Sequence, residues 1–290
     1  MMTETAPWTV IEAPLDCSGT SRGEERAPAA LRQAALLQRV GGDASIEAEA
    51  RIRSSDRDPV TGVIGADEIR RASRAIGAAV RDVLTEGRRP LLVGGDCTLL
   101  LGVYLGLPAR VRLWFVDGHA DFLDGESSPT GEAADMDLAI LTGHGPTELL
   151  GTRGLVVDPA SVVLLGHRPD HLSPDVAAEN ARIDAAIRAH TAEEIRERGV
   201  ESAGQEIAAE EPGRPTWLHV DLDVLDEQAL PAVTYPQPLG LDWDEFVALL
   251  RPLADAEGVL GVSVADFNPD LDPDGEWARR VVNALATVLT

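Results

Sequence analysis

Short apolar runs alternate along the chain with longer segments of helical periodicity. The apolar runs are predicted strands at residues 8–13, 90–93, 111–116, 162–165, 216–220 and 259–264. Helices are predicted from near Pro28, at 67–86, from near Cys97, and at 192–211, 244–254 and 276–289. Residues 41–63 form a polar connection that holds one short edge strand. This alternation predicts an α/β fold with a mostly parallel central sheet, and we expect one domain over residues 1–290, because neither a repeat nor a linker divides the chain.

Small polar and charged residues cluster directly after the predicted strands. These groups are Gly94-Gly95-Asp96-Cys97, Asp117-Gly-His119-Ala-Asp121, Gly166-His167-Arg168, Asp221-Leu-Asp223 and Asp266-Phe-Asn268-Pro269. Ligands of open α/β sheets bind at the carboxyl ends of the strands. All five groups are therefore expected on one rim.

Two of these groups have the spacing of metal ligands. Asp117, His119 and Asp121 alternate, as do Asp221 and Asp223, and alternate side chains of extended backbone share a face. Carboxylates with one imidazole suit divalent ions such as manganese, and a pair of ions lowers the pKa of a shared water. Either motif alone could be a solvated turn or a helix cap, but the two together favour a binuclear metal site.

Bulk composition excludes several classes of partner. The 290 residues carry a net charge of −24, so a nucleic-acid partner is not expected. Residues 1–7 lack the basic and apolar regions of a secretory signal, and no apolar run is long enough to span a membrane. We expect a cytoplasmic protein in which Cys17 and Cys97 stay reduced.

Three blocks resemble the signature motifs of the ureohydrolase family, which contains arginase, agmatinase and formiminoglutamase. The blocks are Gly94-Gly-Asp-Cys97, Phe115-Val-Asp-Gly-His-Ala-Asp-Phe122 and His219-Val-Asp-Leu-Asp-Val-Leu-Asp226. Ala13-Pro14-Leu15-Asp16, Ala27-Pro28-Ala-Ala-Leu31-Arg32 and Asp266-Phe-Asn-Pro269 also resemble family segments, so the similarity covers nearly the whole chain.

The resemblance implies a three-layer α/β/α, arginase-like fold with two manganese ions per chain. One ion would be held by Cys97, Asp117, Asp121 and Asp221, and the other by His119, Asp117, Asp221 and Asp223. A metal-bridging hydroxide would attack the carbon of a guanidino substrate, which in the best-known members yields urea and an amine. Family members often form trimers or hexamers, so a homo-oligomer is expected.

Several positions depart from the family pattern. Cys97 stands where most members have His, and a thiolate favours Zn²⁺ or Fe²⁺ more than manganese does; alternatively, Cys97 is a small buried apolar residue. Ala134 occupies the position of the family's proton-shuttling His. Glu132 or Asp135 could carry the proton instead, or be ordinary loop carboxylates.

Other departures concern the substrate. Asp266 stands in place of the Glu that pairs with the guanidinium, and Tyr235 in place of a Thr. Arg168 could hold a substrate carboxylate or pack on its own loop. These changes indicate that the substrate is not plain arginine.

The sequence therefore predicts a metal-dependent hydrolase of a linear non-peptide C–N bond in a guanidino, hydroxyguanidino, amidine or formimino compound. A catalytically weak arginase-like subunit that binds metal or ligand is the alternative, and Ala134 is the feature that favours it.

Overall fold

The computed structural model describes residues 6–151 and 156–290 of the chain. Its strands are β1 (Trp8–Ala13), β2 (Ala44–Glu47), β3 (Arg89–Gly94), β4 (Arg112–Val116), β5 (Val162–His167), β6 (Arg188–Thr191), β7 (Thr216–Asp221) and β8 (Val259–Ala265). Its helices are α1 (Ala27–Gln33), α2 (Leu36–Arg39), α3 (Ala66–Thr85), α4 (Leu99–Gly106), α5 (Asp137–Thr142), α6 (Pro174–Asn180), α7 (Ala192–Arg198), α8 (Val200–Ala208), α9 (Trp243–Ala254) and α10 (Glu276–Leu289).

The eight strands form one sheet in the order β2-β1-β3-β8-β7-β4-β5-β6, and every neighbouring pair is parallel. Alternate residues of each inner strand point to opposite faces. In β4, Trp114 and Val116 face one apolar core, whereas Leu113 and Phe115 face the other. The first core is covered by α1, α2 and α7–α10, and the second by α3, α4 and α5. The three-layer fold is therefore confirmed.

The predicted strands all form, and so do the helices predicted at 67–86, 244–254 and 276–289, within one or two residues at each end. The prediction of one helix over 192–211 is wrong, because the backbone breaks at Gly199, which has φ 81° and separates α7 from α8. The edge strand predicted within 41–63 is β2. The pattern missed α2, α5, α6 and β6, which are only four to seven residues long.

The strand order decides what meets at the rim. The four strands β3, β8, β7 and β4 are consecutive neighbours in the sheet. Because they are parallel, the residues that follow them emerge at the same edge, although they lie far apart in sequence. Within the described residues, no helix is long and apolar enough to cross a bilayer.

Candidate active site

A cavity of about 180 Å³ opens at the carboxyl ends of the central strands. It contains predicted site residues from three of the four strands: Asp117 and Asp121 after β4, Asp221 and Asp223 at β7, and Asp266 after β8. His119, Glu132, Ala134, Asp135 and Tyr235 also line it. The predicted rim groups after β3, β4, β7 and β8 thus contribute to the wall of one cavity, the first of them through Asp96, whereas Gly166-His167-Arg168 after β5 does not line it.

Cys97 lies at the centre of the buried acidic cluster. Its Sγ is 2.6 Å from Oδ2 of Asp221, 3.2 Å from Oδ2 of Asp266 and 3.6 Å from Oδ2 of Asp117. Sγ is also 3.3 Å from Nε2 of His219. Ligand atoms of Cys97, Asp117 and Asp121 lie within 4.8 Å of one another. Three of the four residues expected to hold the first ion therefore converge, and the fourth, Asp221, touches the same sulfur.

The second predicted set converges beside the first. Nδ1 of His119 is 2.7 Å from Oδ2 of Asp223, and ligand atoms of Asp117, His119 and Asp223 lie within 4.8 Å of one another. Gly118 is required here, because a Cβ would come within 2.7 Å of the Asp223 carbonyl oxygen. The close approach of the two strand ends thus depends on the glycine between Asp117 and His119.

Backbone amides orient the two carboxylates predicted to bridge the ions. The amide of His119 donates to Oδ1 of Asp117, and that of Asp223 donates to Oδ1 of Asp221, both at 2.6 Å. Each amide holds one oxygen and leaves Oδ2 directed toward Cys97. The local turns therefore aim the ligand atoms at a common point before any ion binds.

The pKa shifts of the buried carboxyl groups indicate that a cation would stabilise the cluster. Burial, and then neighbouring carboxylates, raise the pKa of Asp117, Asp121 and Asp221 well above the usual range for aspartate. Burial would also raise the pKa of Asp223, but His119 and Arg168 outweigh that effect and hold it at about 2. Buried carboxylates that repel one another need a compensating positive charge. The donor set of thiol, imidazole and carboxylates suits divalent ions of intermediate softness.

Asp266 lines the cavity and also contacts the buried acidic cluster. Its carboxyl contacts Cys97, and its backbone has a left-handed φ of 65°. Ligand atoms of Cys97, Asp221 and Asp266 lie within 4.8 Å of one another. Asp266 therefore reaches both the cavity and the predicted metal ligands.

Arg22, Glu132 and Tyr235 form a connected group on the cavity wall. Nη1 and Nη2 of Arg22 donate to the Glu132 carboxylate at 3.0 and 2.8 Å, respectively. Nη1 also donates to the Tyr235 hydroxyl at 2.9 Å. Burial raises the pKa of Glu132, whereas Arg22 opposes that shift. This ion pair competes with the predicted role of Glu132 as a free proton carrier.

Arg168 requires a correction. Its side chain is 1% exposed, and Nη2 donates to the carbonyl oxygens of Asp223, Leu225 and Gln237 at 2.8, 3.0 and 3.2 Å. It does not line the cavity. The expectation that Arg168 holds a substrate carboxylate is therefore wrong. The guanidinium instead ties the segment after β7 in place, as its five fixed donors allow.

Two buried acids of the site were missed in the sequence. Glu24 follows Gly23 in an apparently ordinary turn, yet it is fully buried and lines the cavity. Asp137 begins α5, and one of its carboxyl oxygens lies within 4.8 Å of both Cys97 and His219. A carboxylate next to apolar residues was the available signal for Asp137. Glu24 had no local signal, because only the tertiary fold brings it under the rim.

His219 and Cys17 are both buried. His219 hydrogen-bonds within the core, with Nδ1 2.8 Å from Oγ of Ser263. Cys17 is a buried free thiol, and burial raises its pKa. Ala134 lines the cavity, so a methyl group stands where the family pattern has an imidazole.

Comparisons with known proteins agree with this geometry. A sequence model described as the arginase family matches residues 6–290. Arginase from Bacillus caldovelox is 27% identical over 97% of both chains, and arginase from Brevibacillus brevis is 27% identical over 97% of this chain and 96% of its own.

Solved structures show the same fold. Bacillus subtilis arginase superposes with a TM-score of 0.84 at 24% identity, over 98% of both chains. Proclavaminate amidino hydrolase from Streptomyces clavuligerus superposes with a TM-score of 0.67 at 23% identity, over 98% of this chain and 91% of that one. Fold, motif order and family match agree over almost the whole sequence. The chain belongs to the arginase family of ureohydrolases.

Proposed function

We propose that the protein is a binuclear metal-dependent hydrolase that cleaves a linear non-peptide C–N bond of a guanidino compound or a close analogue. The analogues are hydroxyguanidino, amidine and formimino compounds. The observation that carries the proposal is the convergence of two strand-end carboxylates, Asp117 and Asp221, on the Cys97 sulfur, with Asp117 also 4.0 Å from Nδ1 of His119. Such a cluster is unfavourable to bury without cations.

Six residues would hold the two ions. Cys97, Asp121 and His119 would each serve one ion, Asp223 would serve the ion at His119, and Asp117 and Asp221 would serve both. When bound, the pair lowers the pKa of a coordinated water and supplies a nucleophile at neutral pH. We propose manganese as the native ion, with Zn²⁺ or Fe²⁺ as the alternatives that the Cys97 sulfur favours.

The chain's own residues would orient the substrate and handle the proton. Asp266 reaches the cavity floor, where a carboxylate can accept hydrogen bonds from a cationic head group. Asp135 is the better proton carrier beside Ala134. Its Oδ2 accepts from the hydroxyls of Ser128 and Thr130, and burial raises its pKa. Glu132 instead positions Arg22, from which its carboxylate accepts two hydrogen bonds.

Metal analysis combined with a product-release screen tests the proposal. Chelator-stripped protein would be reloaded with Mn²⁺, Zn²⁺ or Fe²⁺ and offered L-arginine, agmatine, Nω-hydroxy-L-arginine and N-formimino-L-glutamate. We expect two metal ions per chain and release of urea, hydroxyurea or formamide from at least one compound. Asp221→Ala is expected to lose both metal and turnover.

Asp226→Asn is the matched control, because Asp226 belongs to the same motif but does not line the cavity. It should keep both ions and full turnover. Wild-type protein that binds two ions and turns over none of the compounds would favour the weak, ligand-binding relative, which Ala134 suggests. Full activity in Asp221→Ala would refute the metal site. Cytoplasmic location, homo-oligomeric assembly and the single-domain organisation stay predictions.

A further inference from the structure

Glu24 is a buried carboxyl group that receives no hydrogen bond of normal geometry from the described residues. Its side chain is fully buried and lines the cavity. Within residues 6–151 and 156–290, neither carboxyl oxygen makes a hydrogen bond of normal geometry. The nearest cation is Arg22, with Nη2 3.7 Å away, and Arg22 is already engaged by Glu132. The Thr234 hydroxyl and the Arg22 guanidinium lower the pKa of Glu24, but burial outweighs them, so Glu24 retains most of its capacity to accept hydrogen bonds.

The surroundings of Glu24 are acidic. A carboxyl oxygen of Glu24 lies within 4.8 Å of one from Asp16 and one from Asp96. Those two neighbours are satisfied by the chain: backbone amides of Ser18 and Arg22 donate to Asp16, and those of Cys17 and Thr98 donate to Asp96. Burial, followed by Asp266 and Asp96, raises the pKa of Glu24. Among the described residues, Glu24 is the one of the three acids that accepts from no backbone amide.

The backbone holds Glu24 at a fixed place relative to Asp266. Gly23 has φ 133°, and a Cβ there would lie 2.0 Å from Oδ1 of Asn268. Nδ2 of Asn268 donates to the carbonyl oxygen of Arg22 at 3.2 Å. The residues on the N-terminal side of Glu24 are thus packed against the segment that carries Asp266. Both carboxyl groups line the same cavity on rigidly joined pieces of backbone.

An unpartnered buried carboxyl lowers the stability of the fold, so its presence in a binding cavity points to a ligand that completes it. Resting on the proposed hydrolase function, we propose that Glu24 binds the cationic head group of the substrate together with Asp266. Two carboxyl groups require a head group with hydrogen-bond donors on two edges. A guanidinium or N-hydroxyguanidinium ion has such edges, whereas a formimino group has one, because a hydrogen replaces one nitrogen. Glu24 thus selects guanidino-type substrates over formimino compounds.

Kinetics of Glu24→Gln and Glu24→Ala test this selection. For L-arginine, agmatine or Nω-hydroxy-L-arginine, whichever the wild type uses, we expect KM to rise about 10- to 100-fold, since one charge-assisted hydrogen bond is lost. The kcat should change less than about threefold, and KM for N-formimino-L-glutamate less than twofold, because uniform binding energy is removed. Glu126→Gln, at an exposed acid of the loop after β4, is the control and should match the wild type.

Melting temperature separates binding from a structural role. Glu24→Gln should melt at or above the wild-type temperature, because it removes an unpartnered buried charge. A variant that melts lower and keeps its KM would overturn the proposal, as would unchanged KM for every compound. A third metal equivalent that Glu24→Ala loses would also overturn it, since Glu24 would then be a metal ligand.

Calorimetry keeps this test independent of turnover. If metal-loaded wild type binds L-arginine or agmatine but turns over none of the four compounds, the proposed enzyme function fails, but Glu24→Ala should still bind the same compound about tenfold more weakly or worse. Equal binding by the variant, or no binding of any of the four compounds by the wild type, would refute the role of Glu24.

Discussion

Replacement of Arg168 by Met should destabilise the fold without acting on substrate binding directly. The side chain is buried and crosses beneath the segment that follows β7. Nη2 donates to three carbonyl oxygens at 2.8–3.2 Å, and Nη1 donates to that of Val224 at 3.3 Å. Met preserves much of the apolar stem and removes every donor. The change therefore isolates what the guanidinium contributes.

The magnitude follows from the four hydrogen bonds that the carbonyl groups lose, although those of Val224 and Gln237 still accept from the backbone amides of Leu241 and Glu227. At about 1 kcal/mol for each lost bond, the free energy of unfolding falls by about 4 kcal/mol. Relief from burying a charge returns part of this, which leaves about 3 kcal/mol. Because domains have total stabilities of about 5–15 kcal/mol, the variant should fold but be markedly less stable. Lys at this position should be intermediate, since it keeps the charge but not the fork of donors.

Urea unfolding followed by far-UV circular dichroism measures the effect, with metal-free and metal-loaded protein compared. Arg198→Met is the control, because Arg198 makes an exposed ion pair with Glu206 at 2.6 Å. It should change stability by less than about 0.5 kcal/mol. Metal affinity of Arg168→Met should also fall, since the backbone of Asp223 loses an anchor.

One combination of stability and KM would contradict a structural role for Arg168. If Arg168→Met lost less than 1 kcal/mol of stability while KM rose tenfold or more, the guanidinium would be a substrate contact. The buried hydrogen bonds to the backbone would then be of little energetic importance.

Two further predictions concern Cys97, as a proposed metal ligand, and a buried histidine. Cys97→Ala should lower Zn²⁺ affinity by about tenfold or more, and Cys97→His should shift the metal preference toward Mn²⁺. Competitive metal titration measures both effects. Unchanged Zn²⁺ affinity in Cys97→Ala would show that Cys97 is not a metal ligand. Burial lowers the pKa of His167 to about 4 from its ordinary 6.5, so between these values the unfolded chain binds more protons and stability falls as pH falls. Urea unfolding at pH 7 and pH 5 should show a loss from this group of about 2 kcal/mol, and the loss should be smaller in His167→Gln; equal losses in the two proteins would contradict the assignment.

Local periodicity was sufficient for most of the fold. Runs such as 111–116 and 216–220 become inner strands, because a strand buried on both faces must be predominantly apolar. The break at Gly199 could not be foreseen, since one glycine within a helical pattern is compatible with either a continuous or an interrupted helix. Short, mostly polar elements such as β6 form only because neighbouring strands offer them hydrogen bonds.

What the sequence by itself determined was the set of chemical groups at the strand ends. Asp117, His119 and Asp221 follow apolar runs, and parallel strands deliver such residues to one edge whatever the details of packing. The order of the blocks also identified the family, which the comparison over residues 6–290 confirms.

Tertiary structure alone decided which charged groups are free to act. The sequence predicts Arg168 as a binding residue and Glu132 as a proton carrier, but the fold commits Arg168 to backbone carbonyls and Glu132 to Arg22. Glu24 resembles a surface acid, yet the fold buries it unpaired in the cavity. The physical reason is that hydrogen-bond partners come from residues distant in sequence, and a side chain's reactivity depends on whether those partners have already satisfied it.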